Sequence, residues 1–335
     1  MTTPLVSVLL PARDAAPTIE AALASLRRQT LETWECVVVD DASRDDTARR
    51  VEAQADRDPR LVLVRTADHG IAGALTTGLA RCRGRYVARM DADDLMRRER
   101  LERQVTALEA DSTLAAVGAR VRIFPRAGMR DGLRAYEGWL NAIDTPERVR
   151  AEAFVENPIV HPTLCARRDL LAHYGWRACG WPEDYDLVLR LLGAGLRLAV
   201  VPQRLLAWRD HPSRLTRTHA DYALERITAC KAYHLARGLL AARDRYVLWG
   251  HGDTGRALRR ALALLGKLPS HIVELHPGRL GQTIHGAPVV APDALRNLPG
   301  VPVVASVAGL EARTRIRAYL DGLGRRETLD YVCAA

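Results

Sequence analysis

Asp91-Ala92-Asp93 places two carboxylates on one short turn, directly after the strand-like run Tyr86 to Met90. Magnesium and manganese ions (Mg2+ or Mn2+) take hard oxygen ligands of this kind, often one or two carboxylates together with a substrate's phosphates. The same residues have a plainer use, because Asp93 or Asp94 also suits the cap of a helix expected over Leu95 to Leu108. A second motif, Gly250-His251-Gly252-Asp253-Thr254-Gly255-Arg256, lies between a strand-like and a helical run, and Glu274 follows 19 residues after Gly255. Glycines there let a backbone approach a pyrophosphate at a helix N-terminus, and an acid at the next strand end can bind ribose hydroxyls. A tight strand-to-helix turn with no ligand would use the same glycines.

The elements that must position these residues alternate. Strands are expected at Leu5 to Leu10, Glu35 to Val39, Leu61 to Arg65 and Tyr86 to Met90. Helices are expected over Thr18 to Gln29, Thr47 to Ala55 (with Ser43 as its cap) and Ile71 to Arg81. Strand alternating with helix means βαβ units and a mostly parallel central sheet, an α/β fold. Polar residues then collect just past the strand C-termini, at Arg13 and Asp14, Asp40 and Asp41, and Asp91 to Asp94. That edge is where open α/β sheets bind ligands. The stretch from about 115 to 215 is less regular, and a helical run over Asp221 to Leu240 looks like a connector. Alternation restarts with strand Tyr246 to Trp249, helix Gly255 to Leu265 and strand His271 to Leu275. The division expected is residues 1–215, a connector 216–243, and a smaller Rossmann-like α/β domain 244–335.

Composition narrows the class. The chain has 335 residues, 48% hydrophobic and 27% charged, enough for two domains with their own cores and too apolar for disorder. No run is long and apolar enough to cross a bilayer, and Met1 to Leu10 lacks a basic leader, so a cytoplasmic location is expected. The six cysteines, Cys36, Cys82, Cys165, Cys179, Cys230 and Cys333, are far apart and read as small buried hydrophobes. Net charge is +9, and all basic residues except Lys231 and Lys267 are arginine. A bias spread over the whole chain reads as composition rather than as a binding patch, so no nucleic-acid partner is expected. Peripheral contact with an anionic inner membrane face is the electrostatic alternative. Nothing in the sequence gives the oligomeric state.

Taken in order, the motifs resemble the family 2 glycosyltransferases of GT-A fold. The resemblance runs through Val6-Ser7-Val8-Leu9-Leu10-Pro11-Ala12-Arg13-Asp14, Val38-Val39-Asp40-Asp41-Ala42-Ser43 and Gly84-Arg85-Tyr86-Val87-Ala88-Arg89-Met90-Asp91-Ala92-Asp93-Asp94. It continues through Arg100-Leu101-Glu102-Arg103-Gln104, His161-Pro162-Thr163 and Glu183-Asp184-Tyr185-Asp186-Leu187, covering roughly residues 4 to 215. It implies an inverting enzyme that moves a sugar from a nucleoside diphosphate, most often UDP, to a hydroxyl of a glycan or lipid-linked acceptor in cell-surface polysaccharide or glycoconjugate synthesis. Pro11, Ala12, Arg13 and Asp14 would line the nucleotide pocket, with Asp40 on the base and Asp41 close by. Asp91 would face the ribose and metal region, and Asp93 would hold the divalent cation. Departures from the family pattern fall at Asp68-His69-Gly70, Thr77 and Arg98, and none removes a proposed ligand or base.

Under the same resemblance Asp184 is the general base, with Asp186 its rival. The alternative for Glu183-Asp184 is a cap on a helix over Tyr185 to Leu192, or a pair with Arg190. His161 either shapes the acceptor pocket or holds its loop, and Trp181 either stacks on a sugar or fills core. Arg209, His211 and Arg214 either grip the diphosphate or belong to a solvated loop. The Gly250, Gly252, Gly255 and Glu274 set, with Gly286-Ala287-Pro288-Val289-Val290, resembles the Rossmann-like nucleotide-binding domain found beside sugar O-acyltransferases. That implies a second nucleotide or dinucleotide. Rival readings are an NAD(P)-dependent oxidoreductase built on the Gly250 loop and a basic nucleic-acid-binding protein. A sugar nucleotidyltransferase would want a Gly-rich loop where Pro11 to Asp14 has none.

Overall fold

The computed structural model describes residues 3–335, which divide into two compact units. Of these, the first comprises the residues up to Val149, Pro158–Cys179 and Asp186–Arg214; the second comprises Arg150–Asn157, Gly180–Tyr185 and Leu215–Ala335.

The first unit is built on eight strands: β1 Val6–Ala12, β2 Trp34–Asp41, β3 Leu61–Thr66, β4 Tyr86–Arg89, β5 Leu95–Met96, β6 Leu114–Phe124, β7 Cys165–Arg167 and β8 Arg197–Arg209. They form one sheet in the order β3-β2-β1-β4-β7-β6-β8-β5. The four N-terminal strands run parallel, β6 is parallel to β8, and β7 and β5 run antiparallel to their neighbours. Every residue of β1 and β2 is buried, as expected of strands covered on both faces by crossover helices. Ile19, Ala22, Leu23 and Leu26 of the helix Ile19–Arg27 close one face, recurring at the three- and four-residue spacing the sequence shows.

One buried acid is built into this sheet. Glu35 of β2 accepts hydrogen bonds from Ser7 Oγ (2.7 Å) and from the Arg83 amide (2.7 Å) and guanidinium. The Ser7 hydroxyl in turn accepts from the amide of Gly84. A Cβ on Gly84 would stand 2.5 Å from the Ser7 nitrogen, so only glycine lets β4 begin this close to β1.

Three local expectations need correction. Leu95 and Met96 do not open a helix; they pair antiparallel with Ala207 and Leu206 of β8, and the helix begins at Arg100. Asp93 and Asp94 are therefore not helix caps. The Leu101 amide is instead taken by Gln29 Oε1 at 3.0 Å. Ser43 does not cap Thr47–Ala55 either, since Asp45 accepts the Thr47 amide (2.9 Å) and Ser43 accepts the amide of Asp14 (3.0 Å).

The second unit carries β9 Arg245–Trp249, β10 Leu268–Val273, β11 Thr283–Ile284, β12 Ala287–Val290, β13 Val303–Ala305 and β14 Tyr331–Cys333. Their order is β11-β12-β10-β9-β13-β14, and all pairings but β11 with β12 are parallel. The helix Leu224–Arg237, expected as a connector, packs Ala232 and Leu235 into the same apolar cluster as Tyr246, Leu248 and Leu258. It belongs to this unit's core. Among the described residues no cysteine forms a disulfide; five are buried and Cys179 is half-buried. Among the described residues, no helix is long and apolar enough to cross a membrane.

Candidate active site

The C-terminal ends of β1, β2 and β4 are adjacent in the sheet, so the residues just past them share one edge. Pro11 and Ala12 end β1 opposite Val39 and Asp40. The next residue but one, Asp14, turns the chain with φ 48°, its carboxylate accepting the Arg44 amide at 2.7 Å. Asp41 is committed to structure: Oδ1 accepts from Thr66 Oγ1 (2.6 Å) and the His69 amide (2.8 Å), fixing the loop after β3. Asp40 is different. It is 5% exposed, and its Oδ1 has no hydrogen-bond partner among the described residues. Leaving a buried carboxylate oxygen unmatched costs free energy in the absence of a donor. Arg13 reaches across the end of β2 to pair with Asp68, in the loop after β3.

Beyond β4, Asp91, Asp93 and Asp94 bring carboxylate oxygens within 4.8 Å of one another. Burial pushes the Asp91 carboxyl up, the Arg89 guanidinium against it pulls the other way, and Asp93 adds to the rise. Asp94 is fully buried and held well above the usual carboxylate range, by burial first and then by Asp91 and Asp93. Three crowded acids of this kind fit a divalent cation, whose charge removes their mutual repulsion. The end of β8 closes over them. Arg209 donates its amide to Asp94 Oδ1 and its side chain to the Asp93 carbonyl, both at 2.7 Å. His211 Nε2 lies 2.7 Å from Asp93 Oδ2. Arg214 stacks on Trp208 with its guanidinium 4.1 Å from the ring centre. The basic segment is thus gathered at the acidic cluster and is not merely solvated loop.

His161 is buried and accepts a hydrogen bond from Trp176 Nε1 at 2.9 Å on its Nε2. That bond assigns the ring proton to Nδ1. Burial, with Arg89 nearby, drives its pKa well below the ordinary value, so the imidazole is neutral.

Of the remaining residues singled out by sequence, Trp181, Glu183 and Asp184 lie in the second unit and Asp186 in the first. The helix begins at Glu183, two residues earlier than expected. Asp184 is half-buried; its Oδ1 accepts the amide of Tyr185 (2.7 Å) and its Oδ2 accepts from Asn157 Nδ2 (3.0 Å). Glu183 accepts from the Tyr222 hydroxyl at 2.8 Å, and Trp181 packs against the Tyr233 ring at 5.2 Å between centroids. The ion pair with Arg190 is made by Asp186 at 2.6 Å, not by Glu183 or Asp184. Asp186 is 2% exposed, and Arg190 also binds the carbonyls of Tyr174 and Gly175.

Sequence reasoning missed Arg89, Trp176 and Asn157 as partners. A buried arginine within a strand, an indole 15 residues from its histidine and an amide 27 residues from its carboxylate leave no periodic signal. Asp68 was visible only as a departure from a family pattern.

Comparison with known proteins bears on the fold and the family. The chain is 28% identical to the putative glycosyltransferase EpsE of Bacillus subtilis, over 73% of this chain and 86% of that one. Residues 1–349 of S. aureus TarS, solved with UDP-GlcNAc, share the fold at a TM-score of 0.57 and 17% identity, covering 77% of this chain and 71% of that one. The mannosyltransferase PcManGT from Pyrobaculum calidifontis, solved with GDP-Man and Mn2+, gives a TM-score of 0.54 at 25% identity, covering 79% of this chain and 70% of that one. The Glycosyl transferase family 2 model matches residues 7–175, half of the chain, and this protein belongs to that family.

Proposed function

We propose that residues 1–215 catalyse metal-assisted, inverting transfer of a sugar from a nucleoside diphosphate, UDP in the first instance, to a hydroxyl of a glycan or lipid-linked acceptor. The observation that carries this is the Asp91, Asp93 and Asp94 cluster, capped by Arg209 and His211 at the strand ends beside Asp40. Pro11, Ala12, Arg13 and Asp14 line the nucleotide side of this edge. Asp40 offers its unmatched oxygen to a base N–H, and Asp91 faces the ribose and the cation. Asp93, with Asp91, would hold the cation, which when bound supplies a Lewis acid that neutralises the diphosphate leaving group.

The protein's own groups do the rest. Arg209 brings a fixed cation to the leaving phosphates. Asp184 accepts the acceptor's proton as its oxygen forms the bond to C1 and the bond from C1 to the diphosphate oxygen breaks. Asn157 and the Tyr185 amide hold that carboxylate in one orientation. Glu183, Trp181 and the neutral His161 are assigned to the sugar and acceptor pocket. Family membership replaces the oxidoreductase and nucleic-acid readings as the account of the chain's activity.

We infer that residues 244–335, within the second unit, are a Rossmann-like module that binds a second nucleotide or dinucleotide through Gly250, Gly252, Gly255 and Glu274. A cytoplasmic location, with peripheral contact at the inner membrane face, and a role in cell-surface polysaccharide or glycoconjugate synthesis complete the proposal. Thermal-shift screening of nucleotide sugars, with Mn2+ and with EDTA, tests it together with release of nucleoside diphosphate upon transfer. No stabilisation by any nucleotide sugar would remove the donor assignment.

A further inference from the structure

We propose that the second unit holds a pyrophosphate-bearing ribonucleotide in the crevice between the ends of β9 and β13, separate from the acidic cluster of the first unit. This deepens the reading of residues 244–335 as a nucleotide-binding module and rests on it. β10 and β12 lie on one side of β9, and β13 and β14 lie on the other. The chain therefore reverses its direction of winding at β9, and ligands of open α/β sheets bind in the crevice that such a reversal leaves. Two helices start at this edge, Asp253–Ala263 after β9 and Leu310–Gly322 after β13. The first amides of each have no partner within their own helix, and both helix ends carry partial positive charge.

The three glycines of the loop do different things. Gly250 has φ +91°, and a Cβ there would strike Val307; a Cβ on Gly255 would strike the Gly250 carbonyl. Both are required by the turn itself. Gly252 is not. Its φ of −75° and ψ of −163° suit any residue, and a Cβ there would meet nothing within 4 Å. The fold leaves open space directly before the helix N-terminus and makes no use of it.

A buried hydroxyl without a partner among the described residues faces this place, and a buried imidazole of the loop has an unpartnered nitrogen. Along β13, Val303 and Ala305 pack on one side of the sheet, while Val304 packs on the other with Leu258 and Leu262 of the helix Asp253–Ala263. Side chains alternate along a strand, so Ser306 points back to that helix, at the level of Gly250. Ser306 is 3% exposed, its carbonyl accepts from Thr254 Oγ1 at 3.3 Å, and its hydroxyl has no partner among the described residues. His251, 6% exposed, has an unpartnered Nε2. Burial first, then Arg259 and Arg256, depress the His251 pKa against the opposing pull of Glu274, so two guanidiniums stand near the loop, Arg256 paired with Asp253. Glu274 Oε1 accepts the His251 amide at 2.9 Å, tying the loop to the end of β10 and setting a carboxylate where a ribose would lie.

The test is hydrogen–deuterium exchange on the full chain, read peptide by peptide, with ADP, UDP, NAD+ and inorganic pyrophosphate as probes. At least one nucleotide should slow exchange at residues 250–256 and 306–311, and pyrophosphate alone should do so only weakly. Gly252→Val should keep the melting temperature and abolish this protection. Ser306→Ala should raise the apparent Kd about tenfold, as expected for one hydrogen bond to a charged group. Equal protection by pyrophosphate would overturn the ribonucleotide assignment. Nucleotide protection elsewhere in the second unit, unaffected by Gly252→Val, would overturn the location but leave the module reading standing. Protection confined to the first unit for every probe would overturn both.

Discussion

His211 Nε2 lies 2.7 Å from Asp93 Oδ2, although 118 residues separate the two in sequence. The β8 strand carries the imidazole back to the turn after β4, so a nitrogen and a carboxylate oxygen converge on one point. The carboxylate is a ligand type for Mn2+, and imidazole nitrogen is a common ligand of divalent metals. A nucleoside diphosphate with Mn2+ at about 100 times its Kd should stabilise the chain by roughly 2.7 kcal/mol. Asp93→Ala should abolish the Mn2+ increment, and His211→Ala should reduce it. Equal stabilisation in EDTA would sink the cation's role.

Asp184 and Asp186 separate cleanly by experiment. Asp184→Asn should lower kcat by ~10²- to 10⁴-fold with donor affinity and melting temperature near wild type, the pattern of a lost general base. Asp186→Asn should instead destabilise, because Asp186 and Arg190 are a buried pair and breaking such pairs costs about 3–5 kcal/mol. Urea denaturation beside steady-state kinetics distinguishes them. An Asp186→Asn enzyme that is stable but inactive would show the base misassigned by two residues.

Asp40 predicts opposite effects on binding and stability. Asp40→Ala removes the acceptor proposed for the nucleobase and should weaken donor binding by about tenfold or more. It also removes a buried oxygen that has no partner among the described residues, so the melting temperature should equal or exceed that of wild type. Calorimetric titration and thermal unfolding of one variant test both. Unchanged donor affinity would place the base elsewhere.

Glu35 gives the fold a defined acid sensitivity. Burial raises its pKa, but hydrogen bonds from Ser7 and Arg83 outweigh burial and leave it below the ordinary 4.5. The unfolded chain therefore binds the proton more tightly, and the acid's contribution is full above about pH 4.5 and lost as pH falls through the folded value. Glu35→Gln should lower the melting temperature at neutral pH, with the gap to wild type narrowing below about pH 4.5. A gap independent of pH would mean that the hydrogen bonds do not depend on the charge.

The strand-end clusters were legible because buried strands write themselves as apolar runs that stop at polar residues. Asp40, Asp41 and Asp91 could be placed on one edge from alternation alone. Their division of labour could not, since Asp41 is consumed by Thr66 and His69 while Asp40 is not. Leu95 and Met96 misled for a related reason. Two apolar residues before a helical pattern look like its first turn, and only a partner strand more than 100 residues away makes them β5. The Leu224–Arg237 helix likewise reads as a linker until its apolar face finds Tyr246 and Leu248.

The cysteines, mostly buried and in no disulfide among the described residues, give the chain a chemical simplicity. Burial pushes the Cys82, Cys165 and Cys333 thiols up to about 12 and Cys36 higher still, so almost no thiolate exists at neutral pH to react. Cys179 alone is half-open to solvent. A maleimide dye should therefore attach at one position in the native enzyme without removing any other cysteine. A spectroscopic reporter then sits four residues before the helix that carries Asp184, in an otherwise unaltered sequence.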